Sequence, residues 1–135
     1  MKSLILCTML LFTNLAFAEL AIVVHPSNDS NFDESVINRI YTGKEKSFSN
    51  GNKVIPLSQE ANSAVTEEFN SKVLSKTSSQ LKAYWSKLIF TGKGTPPKEL
   101  ESDAEVIKMV AANPDTIGFV SAAAVSDNVK VVLTF

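Results

Sequence analysis

A short apolar run that passes within a few residues into a helix start is the feature that most restricts this chain. From Val54 to Phe69 it reads Val-Ile-Pro-Leu-Ser-Gln-Glu-Ala-Asn-Ser-Ala-Val-Thr-Glu-Glu-Phe. Val54, Ile55 and Leu57 read as a buried strand. Pro56 within it argues for a sheet edge or a strand end, because proline has no amide to give a ladder. Behind the strand, Ser63 marks a helix whose Val65, Phe69 and Val73 recur at four-residue spacing. A strand followed so closely by a helix points to layered α/β arrangements, in which the two pack face to face. The junction has chemistry as well. The first amides of a helix lack intrahelical acceptors and lie at the positive end of its dipole, so a phosphate or carboxylate needs few further donors there.

The same alternation continues on both sides. Leu20-Ala-Ile-Val-Val24 is a short apolar run closed by His25-Pro26-Ser27-Asn28, a buried strand and its loop. Asn31 and Glu34 stand at capping-box spacing before a helix with Phe32, Val36, Ile37 and Ile40 on one face, and Gly43 is placed to end it. Asn50-Gly51-Asn52 is a turn. A Thr77 to Gln80 box opens a third helix carrying Leu81, Tyr84, Trp85, Leu88 and Ile89 at i, i+3, i+4, i+7 and i+8, the clearest amphipathic pattern in the chain. Gly92 follows as a C-cap, then Gly94-Thr95-Pro96-Pro97 as a stiff loop. Ser102 and Glu105 box a fourth helix that Asn113-Pro114 stops, and Thr116–Val120 and Val129–Phe135 are the last two strands. The expected architecture is an α/β layer with a mostly parallel sheet of about four strands flanked by helices, with ligands favoured at the carboxyl ends of the strands.

Residues 1–18 carry Lys2, an apolar run from Leu4 to Leu15, and Ala16-Phe17-Ala18. This is the pattern of a secretory signal peptide, with cleavage expected after Ala18. The run is too short and too interrupted by Thr8, Thr13 and Asn14 for a good spanning helix. Cys7, the one cysteine, lies inside it, so residues 19–135 can form neither a disulfide nor a thiolate metal site. Those residues suit one domain, able to bury about 60–70% of its unfolded surface. They hold 12 basic and 14 acidic residues. The lysines are scattered, and nucleic acid would favour a basic stripe with interleaved aromatics. The expectation is therefore a periplasmic chain with no nucleic-acid partner and no membrane span after processing.

Catalytic patterns are weak. Aromatic-Thr-Gly-Lys occurs twice, at Tyr41–Lys44 and Phe90–Lys93. Two lysine-bearing ligand loops are one reading; two glycine C-caps over a packed aromatic, with a lysine favoured by the helix C-terminus, are the simpler one. Neither has P-loop spacing. Ser79-Gln-Leu-Lys82 and Ser126-Asp-Asn128 match two elements of serine penicillin-recognising enzymes, but no Lys-Thr-Gly follows. His25 is the one histidine, too little for a metal site or a recognisable triad. Glu67 and Glu68 point about 100° apart on a helix and suit its first turn rather than a carboxylate pair. The inventory predicts no enzyme, no metal and no cofactor.

Taken in order, the first strand, the helix ending Ile40-Tyr41-Thr42-Gly43, the Asn50-Gly51 turn, the strand into the Ser-marked helix, and Ile117-Gly118-Phe119-Val120 carry a resemblance. Over most of residues 20–133 the chain resembles the phosphate-type periplasmic substrate-binding proteins of ABC transporters, most of all the short members called PBP-like domains. The resemblance implies one lobe of a type II periplasmic binding protein where full-length relatives have two lobes around a cleft. It implies a small oxyanion such as phosphate as ligand, for transport or sensing, and an ABC transporter membrane component or another envelope protein as partner. In the family, an Arg, an Asp and a Ser-Gly-Thr run lead into the phosphate-binding helix. Here those positions fall on Gln59, Ala61 and Ser63-Ala64-Val65, with Thr66 behind. The implied ligand residues are Gln59, Asn62, Ser63, Ala64, Val65 and Thr66, with Ser63 open to a second role as a plain N-cap. Charge-assisted bonds are worth about 1.5–3 kcal/mol each, so losing the Arg-Asp frame implies weak binding. A non-catalytic interaction module, a lobe that docks on an envelope protein or on its own copy, is the alternative, since one lobe cannot close over a ligand.

Overall fold

The computed structural model describes residues 19–135, so the expected secretory segment and its cleavage after Ala18 lie outside the described residues. Strand β1 spans Leu20–Val24 and every residue in it is buried. Its side chains divide between two cores: Leu20, Ile22 and Val24 join one, Ala21 and Val23 the other. A strand buried on both faces reads as an unbroken apolar run rather than an alternating one, which is how it appears in the sequence.

Helix α1, Glu34–Tyr41, is capped by Asp33, whose Oδ1 accepts from the Val36 amide at 2.7 Å. The expected Asn31 to Glu34 box does not form: the Asn31 amide donates to Ser49 Oγ at 2.8 Å and the cap falls two residues later. Thr42 closes the helix and Gly43, at φ +75°, turns the chain out, a conformation glycine adopts at no steric cost. Strand β2 is Ile55–Gln59. Helix α2, Ala64–Phe69, runs directly into a π-helical turn at Asn70–Leu74. The four-residue spacing seen in the sequence buries Phe69 and Val73 in the first core. Helix α3, Ser78–Phe90, opens on the expected reciprocal box between Thr77 and Gln80. Helix α4, Asp103–Ala112, opens on Ser102, while Glu105 reaches back to the Glu101 amide instead of completing a box.

Among the described residues the sheet has five strands, in the order β3, Lys98–Leu100; β2; β4, Thr116–Ser121; β1; and β5, Lys130–Thr134. β2 runs parallel to both β3 and β4, whereas β1 is antiparallel to both β4 and β5. The sheet is therefore mixed, and the expectation of a mostly parallel one is only partly right. Hydrophobic periodicity reports which residues face a core; it is blind to strand direction. β3 was not foreseen because Lys98-Glu99-Leu100 buries only Leu100 and is held at the edge by backbone pairing. β2 lies between two strands, so Pro56 marks a strand end, with β3 pairing only from Leu57 onward.

α1, α2 and the π turn cover one face, where Phe69 and Phe119 stack with centroids 4.1 Å apart and Tyr41 meets Phe69 edge-on at 4.7 Å. α4 covers the other through Val106 and Val110. The Tyr41 hydroxyl is buried and donates to Leu57 O at 2.8 Å and Ile117 O at 3.2 Å, tying β2 to β4. Burial pushes its phenol well above the ordinary range, with the Leu57 hydrogen bond opposing.

Two outcomes follow. A Cβ on Gly118 would overlap Val106 Cγ1 and lie 3.5 Å from Val110 Cγ2. Gly118→Ala should cost about 1–3 kcal/mol in urea unfolding, with partial recovery in the Gly118→Ala, Val106→Ala pair. Tyr41→Phe should cost about 1–2 kcal/mol. The raised phenol keeps its proton in the folded state after the unfolded chain would lose it near pH 10, so wild-type stability should be level below about pH 10 and fall above it. In Tyr41→Phe that alkaline decline should be shallower, as read from unfolding midpoints between about pH 8 and 11.

Candidate functional site

β2 delivers the chain to the helix start as the sequence suggests. Gln59 is its last residue, Glu60–Ser63 form a turn closed by the Ser63 amide on Glu60 O at 3.0 Å, and α2 begins at Ala64. Ser63 is in an extended conformation, φ −73° and ψ 148°, and its Oγ accepts from the Thr66 amide at 3.3 Å. The Ser63 and Thr66 hydroxyls are 2.7 Å apart. Among the described residues the Ala64 and Val65 amides meet no acceptor, the state expected of a first helical turn.

Of the six anticipated residues, Ser63, Ala64, Val65 and Thr66 share the helix start with Asn62 just before it, whereas Gln59 is turned to Asp103 and Phe119. Asn62 and Ala64 are exposed, Ser63 and Val65 half-buried, and Val65 packs against the core. Thr66 is 3% exposed and faces inward. Gln59 is equally buried and its Nε2 donates to Asp103 Oδ1 at 2.7 Å and Phe119 O at 3.0 Å. Its donors are thus committed to the protein, and a carboxylate stands behind it. Asp103 Oδ1 also accepts from the Ser121 amide at 3.4 Å, so one carboxylate joins the ends of β2, β4 and α4. The sequence gives no sign of this pairing across 44 positions; the one cue to Asp103 was its place in a helix first turn. Glu60 and Glu67 flank the helix start, so an anion there would rest on backbone amides and hydroxyls rather than on cations.

Beside this start a groove of about 500 Å³ opens under α3, with Gln59 and Thr66 at one side and Phe69, Leu81, Trp85 and Ile89 in its walls. Asn62, Ser63, Ala64 and Val65 do not line it. The groove exists because α3 is not pressed into the core. None of its residues is buried, despite the amphipathic spacing. It is fastened by Leu81 against the first core, by Tyr84 Oη on Thr42 O at 2.6 Å, and by the Trp85 ring, which a Cβ on Gly43 would meet at 3.2 Å. The two aromatic-Thr-Gly-Lys segments are both helix caps, with Gly43 and Gly92 at φ +75° and +70°. Their aromatics differ: Tyr41 is buried, while Phe90 is 92% exposed, against the expectation of a packed ring.

The remaining motifs stay local. His25 Nδ1 lies 2.7 Å from Ser27 Oγ and accepts from the Ser27 amide at 3.1 Å. Glu68 pairs with Lys72 one turn on. Among the described residues no three His, Cys, Asp or Glu side chains are grouped to hold a metal, and no helix is long and apolar enough to cross a membrane.

No protein-family model matches the chain, and no curated protein sequence does. Solved structures do. An ABC-type phosphate transport receptor from Vibrio cholerae superposes with a TM-score of 0.64 at 23% identity, over 85% of this chain and 46% of its own. A putative phosphate ABC transporter substrate-binding protein from Clostridium perfringens, solved with bound phosphate, gives 0.64 at 19% identity, over 85% and 45%. PstS from Borrelia burgdorferi gives 0.63 at 14%, over 85% and 47%. The chain spans about half the length of each of these proteins and carries the fold of one lobe of the phosphate ABC transporter substrate-binding proteins.

Proposed function

We propose that this protein is a non-catalytic, periplasmic solute-binding lobe that holds phosphate or another small oxyanion weakly at the start of α2, for transport or sensing with an ABC transporter membrane component. The observation that carries the reading is the pair of amides at Ala64 and Val65, without acceptors and beside the Ser63 hydroxyl at the carboxyl end of β2. Asn62 is exposed next to them and can add a donor, and Thr66 supports Ser63 from below. Gln59 acts at one remove, holding the end of β2 to α4 through Asp103. With no cation in the set and Glu60 and Glu67 adjacent, affinity in the millimolar range is expected, about −4 kcal/mol.

Titration calorimetry with phosphate, sulfate and small carboxylates tests this, and the absence of heat at about 10 mM ligand would remove the reading. Ala64→Pro is the sharper probe. Ala64 is the first helical residue and Ser63 is already extended, so proline fits while deleting one of the two amide donors. Affinity should fall about tenfold or more with the unfolding midpoint little changed.

A second reading, an interaction module in which an envelope protein or a second copy docks on this lobe, is supported by the open groove of about 500 Å³ under α3. Sedimentation velocity with and without phosphate addresses it: a partner-completed cleft predicts a larger species that ligand stabilises, and a strict monomer under both conditions speaks against self-association.

A further inference from the structure

Charge is not evenly spread along this chain. Between Glu68 and Glu99 there are six lysines, Lys72, Lys76, Lys82, Lys87, Lys93 and Lys98, and no acidic residue, whereas the rest of residues 19–135 holds six basic and fourteen acidic residues. The scattered distribution read from the sequence thus conceals a basic segment on an acidic body, and that segment is α3 with its flanking loops. Lys72 is paired with Glu68, but Lys82, Lys87, Lys93 and Lys98 are exposed. The far end of α3 also carries the most exposed large apolar side chains among the described residues, Phe90 at 92% and Ile89 at 54%, with Val131 distant in sequence on the edge strand β5. The tip is a closed turn: the Gly92 amide donates to Ile89 O at 3.1 Å and the Lys93 amide to Leu88 O at 2.9 Å. Phe90 is therefore presented on fixed backbone, with Lys87 and Lys93 close by in the same turn and cap.

An exposed aromatic on a rigid tip, set among lysines, matches a surface that supplies negative charge and admits an apolar side chain without a shaped pocket. Two neighbouring side chains fall well short of the apolar centre of a stable protein interface, which covers roughly 800 Å² per partner. Pairing two copies through this tip would bring basic segment against basic segment. An anionic bilayer requires neither complementary shape nor a large patch, since basic residues gather at its headgroups and a short apolar anchor enters the acyl boundary. We propose that the tip of α3, Ile89 and Phe90 flanked by Lys87 and Lys93, seats the protein on an anionic lipid surface. The inference goes beyond the oxyanion reading and does not rest on it.

Co-sedimentation of the full chain with vesicles of phosphatidylcholine alone, or with about one-third phosphatidylglycerol, tests the proposal. Binding is expected to the anionic vesicles only, and to be lost by about 0.5 M salt. Phe90→Glu, at a side chain that is 92% exposed, should keep its circular dichroism and bind at least about tenfold more weakly; Lys87→Gln and Lys93→Gln should each weaken binding about fivefold. Inorganic phosphate at matched ionic strength should leave vesicle binding unchanged. Equal binding to neutral vesicles, no binding at all, or binding that survives Phe90→Glu, as attachment through residues 1–18 would, overturns the proposal. So does displacement by phosphate, which would mark a soluble-anion site. Lipid-free self-association abolished by Phe90→Glu also overturns it, by making a second copy the occupant.

Discussion

The parallel and antiparallel parts of the sheet meet at one strand, β4, and the arrangement of the other elements depends on what β4 can pack. On one edge it pairs with β1 in antiparallel register, Leu20 opposite Ser121 through Val24 opposite Ile117; on the other it begins a parallel ladder with β2 at Thr116 and Ile117. Its two faces serve different layers. Ile117 and Phe119 meet α1 and α2, whereas Gly118 lets α4 approach so closely that Val106 occupies the place of a side chain. The β2 side of this joint has only two paired positions with β4, and the Tyr41 hydroxyl reinforces it by bonding a carbonyl on each strand. A buried phenol that found no partner would cost more than this one contributes, so the site depends on both carbonyls staying in place.

That joint also positions the candidate oxyanion site. β2 ends beside β4, and Gln59 is locked there between Asp103 and the Phe119 carbonyl. The Gln59 side chain is a neutral amide that holds a carboxylate inside the protein. With the Ser121 amide also on Asp103, the pair cross-links β2, β4 and α4. The proposed oxyanion seat then consists of the helix start itself, two amides and a serine hydroxyl, with no cation among them.

α3 is the element least bound to the rest. Among the described residues it is the longest helix and the one with a reciprocal capping box, yet it buries no residue completely. Local capping and helix propensity hold it as a helix, while Tyr84, Trp85 and Leu81 set its position over the groove. An amphipathic pattern normally marks a face pressed into a core. Here the same pattern lines an open groove and ends in an exposed Phe90.

The residues alone determined the local elements: β1 as an unbroken apolar run, the Thr77 box, the Gly43 and Gly92 caps, and the strand-to-helix junction at Ser63. Each is governed by interactions within a few positions, where side-chain spacing and backbone sterics leave few alternatives. Strand direction, the short edge strand β3, the Gln59 to Asp103 pair and the fate of the two aromatics of Tyr-Thr-Gly and Phe-Thr-Gly were decided only in three dimensions. In the first two, backbone hydrogen bonding carries the information and side chains do not; in the others, burial depends on which element packs above. Similar local sequence around Gly43 and Gly92 therefore produced one ring inside the core and one in solvent, because Tyr41 packs against Phe69 and Phe119 while Phe90 stays 92% exposed.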